Sequence, residues 1–124
     1  MKFTLNALEH LAKARRNRKS LVDDLLKLVG TCPEWVAVVA FYSALHFVDA
    51  YYAKIGMHFQ HHIERNREVA DSLPDIFESY YRLYDVSVNS RYGSIKDNPT
   101  EGEVKDLVEK ELPVVTGFIE GLVH

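Results

Sequence analysis

PEWVAVVAFYSALHFVDAYYAKIG, residues 33–56, is apolar almost throughout and long enough for roughly six turns of helix. Trp35, Val38, Val39, Phe41, Tyr42, Leu45, Phe47, Val48, Tyr51, Tyr52 and Ile55 would cover most of its circumference, so neighbours must bury it on several sides. Ala37, Ala40 and Ala44 make a strip of small side chains where another helix can come close. Pro33 fits a first helical turn, and Thr31 with Glu34 has the spacing of a capping box. Gly56 is the expected stop. Ser43, His46 and Asp49 interrupt the run. A bilayer span would have to bury that ionisable pair, so the segment reads as the core helix of a protein that does not enter the membrane.

A core helix needs covering helices, and both flanks offer them. Upstream, Asn6 and Glu9 fit a second capping box. Ala7, Leu11, Ala14, Leu21, Leu25 and Leu28 then form one stripe, broken by Arg18, in a helix of about two dozen residues that Gly30 would stop. Its far side carries Lys13, Arg15, Arg16 and Lys19, a solvated face that could add phosphate contacts. Downstream, a polar helix over about Gln60–Leu73 has His62, Asn66, Val69 and Leu73 as its stripe, flanked by Ile63 and Ala70. A further helix over about Asp75–Asn89 turns Phe77, Tyr80, Leu83, Tyr84 and Val86 inward. SRYGSIKDNP, residues 90–99, reads as a loop. Thr100 and Glu103 make a third capping box for a last helix, with Val104, Leu107, Val108, Leu112, Val115, Phe118, Ile119 and Leu122 as core and a kink expected at Pro113. No segment alternates as a strand would. The sequence predicts an all-α protein, an antiparallel bundle of four to five helices in one domain over residues 1–124.

Composition narrows the function classes. The chain has 124 residues, 47% of them hydrophobic, and a formal net charge of −3, which argues against wholesale wrapping of nucleic acid but not against a local basic patch. Cys32 is the one cysteine, so no intrachain disulfide can form; with no apolar signal core in MKFTLNALEH, a cytoplasmic location is expected. No glycine-rich phosphate loop, GxSxG or CxxC is present. Cys32 at a helix start is a conceivable nucleophile, but a capping or half-buried thiol is the plainer reading.

Three polar groupings remain. His46 and Asp49, three apart on the core helix, read as a buried polar pair that fixes the core. A metal site centred on His46 and His62 is a weaker alternative, because the Glu-x-x-His motifs of bundle di-metal centres are missing. Neither a metal nor any other cofactor is therefore expected, nor any assigned catalytic residue. His62, Arg65, Arg91 and Tyr92 form the candidate ligand site: if the helix ends meet, they make a cationic corner suited to a phosphate or nucleobase. Against that stands the plain alternative that Arg65 and Arg91 pair with carboxylates on neighbouring helices.

The motifs ALEHLAKARRN, the aromatic helix over residues 33–56, His62-x-x-Arg65 and Tyr92-Gly93 before a last helix together resemble the HEPN (higher eukaryotes and prokaryotes nucleotide-binding) family across nearly the whole chain. The resemblance implies an all-α domain that often dimerises. It also implies links to defence or toxin–antitoxin systems, with nucleotidyltransferase partners and nucleotide or RNA ligands. Ribonuclease members of the family carry Arg-x(4–6)-His, whereas no arginine here has a histidine five to seven places on. Ser87 stands where the commoner family pattern has arginine, and Arg91 replaces a usually acidic position. The resemblance therefore implies a non-catalytic homodimer or partner subunit. The alternative is a divergent ribonuclease using His62 as acid–base with Arg65 or Arg91.

Overall fold

The computed structural model describes residues 6–20, 24 and 26–123. It is all-α, with no strand among the described residues. Its helices are α1 (Ala7–Ser20), α2 (Pro33–Lys54), α3 (His62–Ser72), α4 (Pro74–Tyr92), α5 (Glu101–Asp106) and α6 (Leu112–Val123). Short 3-10 turns cover Leu26–Leu28 and Ile95–Asp97.

The apolar segment does what its pattern requires. α2 lies at the centre and packs against α1, α4 and α6. Ala37, Ala40, Phe41, Ala44, Phe47, Val48, Ala50 and Tyr52 have no exposed surface. By length and composition α2 could cross a membrane, but 61% of its most apolar window is buried by the other helices, as befits a core helix. The close approach to α1 is made at Ser43, whose Oγ donates to the Ala14 carbonyl across 3.3 Å, both residues fully buried. Gly56 closes the helix with φ +82°, while Met57 N–H reaches the Tyr52 carbonyl and Gly56 N–H the Ala53 carbonyl. That is a Schellman cap, which needs the left-handed residue that only glycine adopts without strain.

Other elements depart from the pattern for local reasons. α1 is described through Ser20, and the expected α-helix does not run to Gly30, since Leu26–Leu28 form a 3-10 turn; Leu21 and Leu25 of its expected stripe lie outside the described residues. Leu28, expected inward, is exposed, because the 3-10 turn around it changes the helical period and rotates it off the stripe. Of the three expected capping boxes, Thr100–Glu103 forms completely. At α1 the Asn6 amide oxygen accepts from Glu9 N–H, and its NH2 group bonds the Glu9 carboxylate instead of the backbone. The Thr31–Glu34 box does not form: the N-cap shifts to Cys32, whose side chain makes no cap bond, because Pro33 takes the first helical position. Arg18 breaks the apolar stripe without harm; its guanidinium lies 5.3 Å over the Phe47 ring and 3.8 Å from the Glu120 carboxylate.

Helix α4 runs three residues past the expected end, through Ser90, Arg91 and Tyr92, so part of the expected loop is helix. The breaker is Gly93. A Cβ there would sit 2.5 Å from the Asn89 carbonyl oxygen and 2.8 Å from Asp97 Cβ, and Asp97 caps the turn by accepting from Ser94 N–H. Ile76 and Ser87 join Tyr80 and Leu83 on the buried face, which lies slightly round from the expected one. Pro113 does disturb the last helix. The chain widens to a π-helical turn over Leu107–Glu111, in which Leu112 N–H reaches back to the Leu107 carbonyl, just before the residue that has no N–H to give.

Candidate functional site

The expected corner of His62, Arg65, Arg91 and Tyr92 divides in two. One half is internal. Arg65, on the inward face of α3, is buried, whereas Ile63, expected beside that face, is 69% exposed. The Arg65 guanidinium meets the Asp49 carboxylate of α2 bidentately, Nε to Oδ1 at 2.8 Å and Nη2 to Oδ2 at 3.3 Å. Nη2 also donates to the Phe59 carbonyl at 3.3 Å, and Nη1 lies 3.2 Å from His62 Nδ1. Guanidinium nitrogens only donate, so Nδ1 must accept. His62 is thereby held neutral, its proton on Nε2. Burial and then the Arg65 and Arg91 charges lower its pKa in the same sense, with Asp49 opposing. The imidazole is wedged between the Phe41 and Tyr84 rings, with centroids at 5.6 and 5.5 Å. Arg65, His62 and Asp49 therefore form a lock that fastens α3 and the preceding loop to α2.

Asp49 thus does not pair with His46. The pair expected on the core helix is replaced, because Arg65 supplies a full counter-charge and two parallel hydrogen bonds that a neutral imidazole cannot match. His46 faces His10 of α1, ring centroids 5.8 Å apart, and the Nδ1 atoms of both are buried without a partner among the described residues. Desolvation and the neighbouring His10 lower the His46 pKa; desolvation likewise lowers that of His10, against the pull of Asp49. His46 packs against His10, and His62 between Phe41 and Tyr84. Among the described residues no group of three His, Cys, Asp or Glu side chains could hold a metal ion.

The other half is at the surface. Arg91, in the last turn of α4, donates from Nη1 to the Tyr42 hydroxyl at 2.9 Å and from Nε to the Ser87 carbonyl at 3.4 Å. Its guanidinium carbon lies 5.5 Å from the Tyr42 ring centre and 5.1 Å from that of Tyr92, which is itself 77% exposed. No carboxylate lies within salt-bridge distance of it among the described residues, so the alternative of a structural ion pair holds for Arg65 and not for Arg91. Arg91 lines an open pocket of about 200 Å³ with Glu34, Trp35, Val38 and Ser90. Here the sequence reading missed partners. Trp35, expected in the core, is 66% exposed, because it sits in the first turn of α2, at the end of the helix. The signal lay in its place next to Pro33 and Glu34, at the start of the helix rather than in its middle.

Compared with protein-family models and with curated proteins, the chain matches none of them.

Proposed function

We propose that this chain is a non-catalytic, HEPN-like helical domain that binds a nucleotide or an RNA segment at the Arg91 pocket, in the cytoplasm, as a homodimer or as the partner of a nucleotidyltransferase in a defence or toxin–antitoxin setting. The observation that carries the reading is Arg91. It is a cation with no carboxylate partner among the described residues, lying within cation–π distance of two tyrosine rings, beside a pocket lined by an exposed tryptophan. Such a set supplies a phosphate-binding fork and stacking faces together. The non-catalytic part is supported by His62, whose Nδ1 lone pair is spent on Arg65 and whose ring is enclosed by Phe41 and Tyr84. An acid–base histidine needs that lone pair free. The homodimer draws support from α6, where Val114, Phe118 and Leu122 are exposed at four-residue spacing beside the open Gly117 and Gly121.

Calorimetric titration with nucleoside monophosphates and a short single-stranded RNA tests the reading. Wild type should bind, and Arg91→Ala should bind about 10- to 100-fold more weakly, the worth of a charge-assisted hydrogen bond. Equal affinity in both proteins, or no heat with any of these ligands, would end it.

A further inference from the structure

The pocket beside Arg91 holds an unusual combination. Glu34 and Arg91 both line it, yet they do not close on each other as an ion pair. A cavity lined by both a cation and an anion is complementary to a ligand that presents acceptors and donors on adjacent edges. Its volume of about 200 Å³ suits one planar ring system rather than a whole nucleotide. Trp35 and Val38 supply its apolar lining. Arg91 has already committed its Nε hydrogen to Ser87 and one Nη1 hydrogen to Tyr42, leaving one Nη1 and both Nη2 hydrogens to donate as a fork. Ser90 has given its hydroxyl proton to the Val86 carbonyl at 2.8 Å, so its oxygen faces the pocket only as an acceptor.

We infer that the Glu34–Trp35–Arg91 pocket selects a guanine base. This deepens the nucleotide reading above and rests on it. Guanine carries O6 and N7 acceptors, the preferred target of an arginine fork, next to the N1–H and N2–H₂ donors, which a carboxylate accepts as a pair. Ser90 Oγ is a further acceptor for the amino group. Adenine would set its N1 lone pair against the Glu34 carboxylate. Uracil offers one donor flanked by two acceptors, and cytosine one amino group beside a lone pair. Of the four bases only guanine places two adjacent donors against the acid and two adjacent acceptors against the cation.

The chain has a single tryptophan, and it lines this pocket, so intrinsic fluorescence reads occupancy directly. Wild type is titrated with the guanosine, adenosine, cytidine and uridine monophosphates, as are Glu34→Gln and Arg91→Ala, with circular dichroism confirming that each variant is folded. The expected result is Trp35 quenching by the guanosine compound at a concentration at least tenfold below the others. That preference should shrink to less than threefold in Glu34→Gln, and all quenching should weaken in Arg91→Ala. Quenching by all four at similar concentrations, unchanged in Glu34→Gln, would overturn the guanine assignment while leaving the nucleotide reading standing. No quenching by any of them would overturn both.

Discussion

Asp49→Ala should be among the most damaging substitutions in this protein, and the Arg65 lock shows why. The two side chains are only 7% and 13% exposed, and Asp49 supplies both oxygens of a bidentate contact. Removing it leaves a buried guanidinium with the Phe59 carbonyl and His62 Nδ1 as its remaining acceptors. Breaking one side of a buried ion pair costs about 3–5 kcal/mol, against a total stability of roughly 5–15 kcal/mol for a domain. At about 4 °C per kcal/mol for a chain of this size, Tm should fall by roughly 12–20 °C. Removing both charges is a different perturbation. Asp49→Leu with Arg65→Met abolishes the desolvation cost along with the attraction, and should lie within about 2 kcal/mol of wild type. Thermal and urea denaturation of wild type, Asp49→Leu, Arg65→Met and the double variant form a cycle whose coupling energy reads the pair directly. A Tm loss below about 3 °C for Asp49→Ala would refute the reasoning, since it would mean that Arg65 is solvated and available to a ligand.

Three further outcomes follow from other parts of the fold. The His46 and His10 pKa values lie below the ordinary 6.5, from burial first, so the folded state holds fewer protons than the unfolded chain near that pH. Stability is then fully present above about 6.5 and falls as the pH drops through it; His46→Gln should flatten Tm between pH 7 and pH 5, and a profile as steep as wild type would count against the pairing. Gly93→Ala should lower Tm by several degrees, because the new methyl would meet the Asn89 carbonyl oxygen at 2.5 Å, and overpacking of this kind costs about 1–3 kcal/mol. Sedimentation equilibrium at tens of micromolar should give a dimer mass, which Phe118→Glu on the exposed face of α6 should halve; a monomeric wild type would dispose of the homodimer.

Much of the architecture was legible because helix periodicity is a strong signal where one helix must be buried on all sides. Pro33–Gly56 alone required covering helices, and Ala37, Ala40 and Ala44 of its small-residue strip are fully buried under them. Capping by Thr100 and termination by Gly56 followed from local backbone chemistry. What sequence spacing could not give was the partner of each polar residue. His46 and Asp49 share a helix face at three-residue spacing, yet Asp49 is taken by an arginine sixteen residues on and His46 by a histidine from α1. Arg65 and Arg91 looked alike as cations in one corner. Only the fold distinguishes them, by turning one toward a carboxylate in the interior and leaving the other against tyrosines at the surface. Trp35 shows the matching error for apolar residues: membership of a buried helix does not bury its first turn.

The division of labour between the two arginines is the centre of this account. It is tested most directly by measuring two quantities, Tm and guanosine monophosphate affinity, on wild type, Arg91→Ala and the double variant Asp49→Leu with Arg65→Met. Arg91→Ala should keep Tm within about 3 °C of wild type and lose at least tenfold in affinity, while the double variant should keep its affinity within about threefold. An Arg91→Ala protein that binds as tightly as wild type, or a double variant that folds and no longer binds, would contradict it.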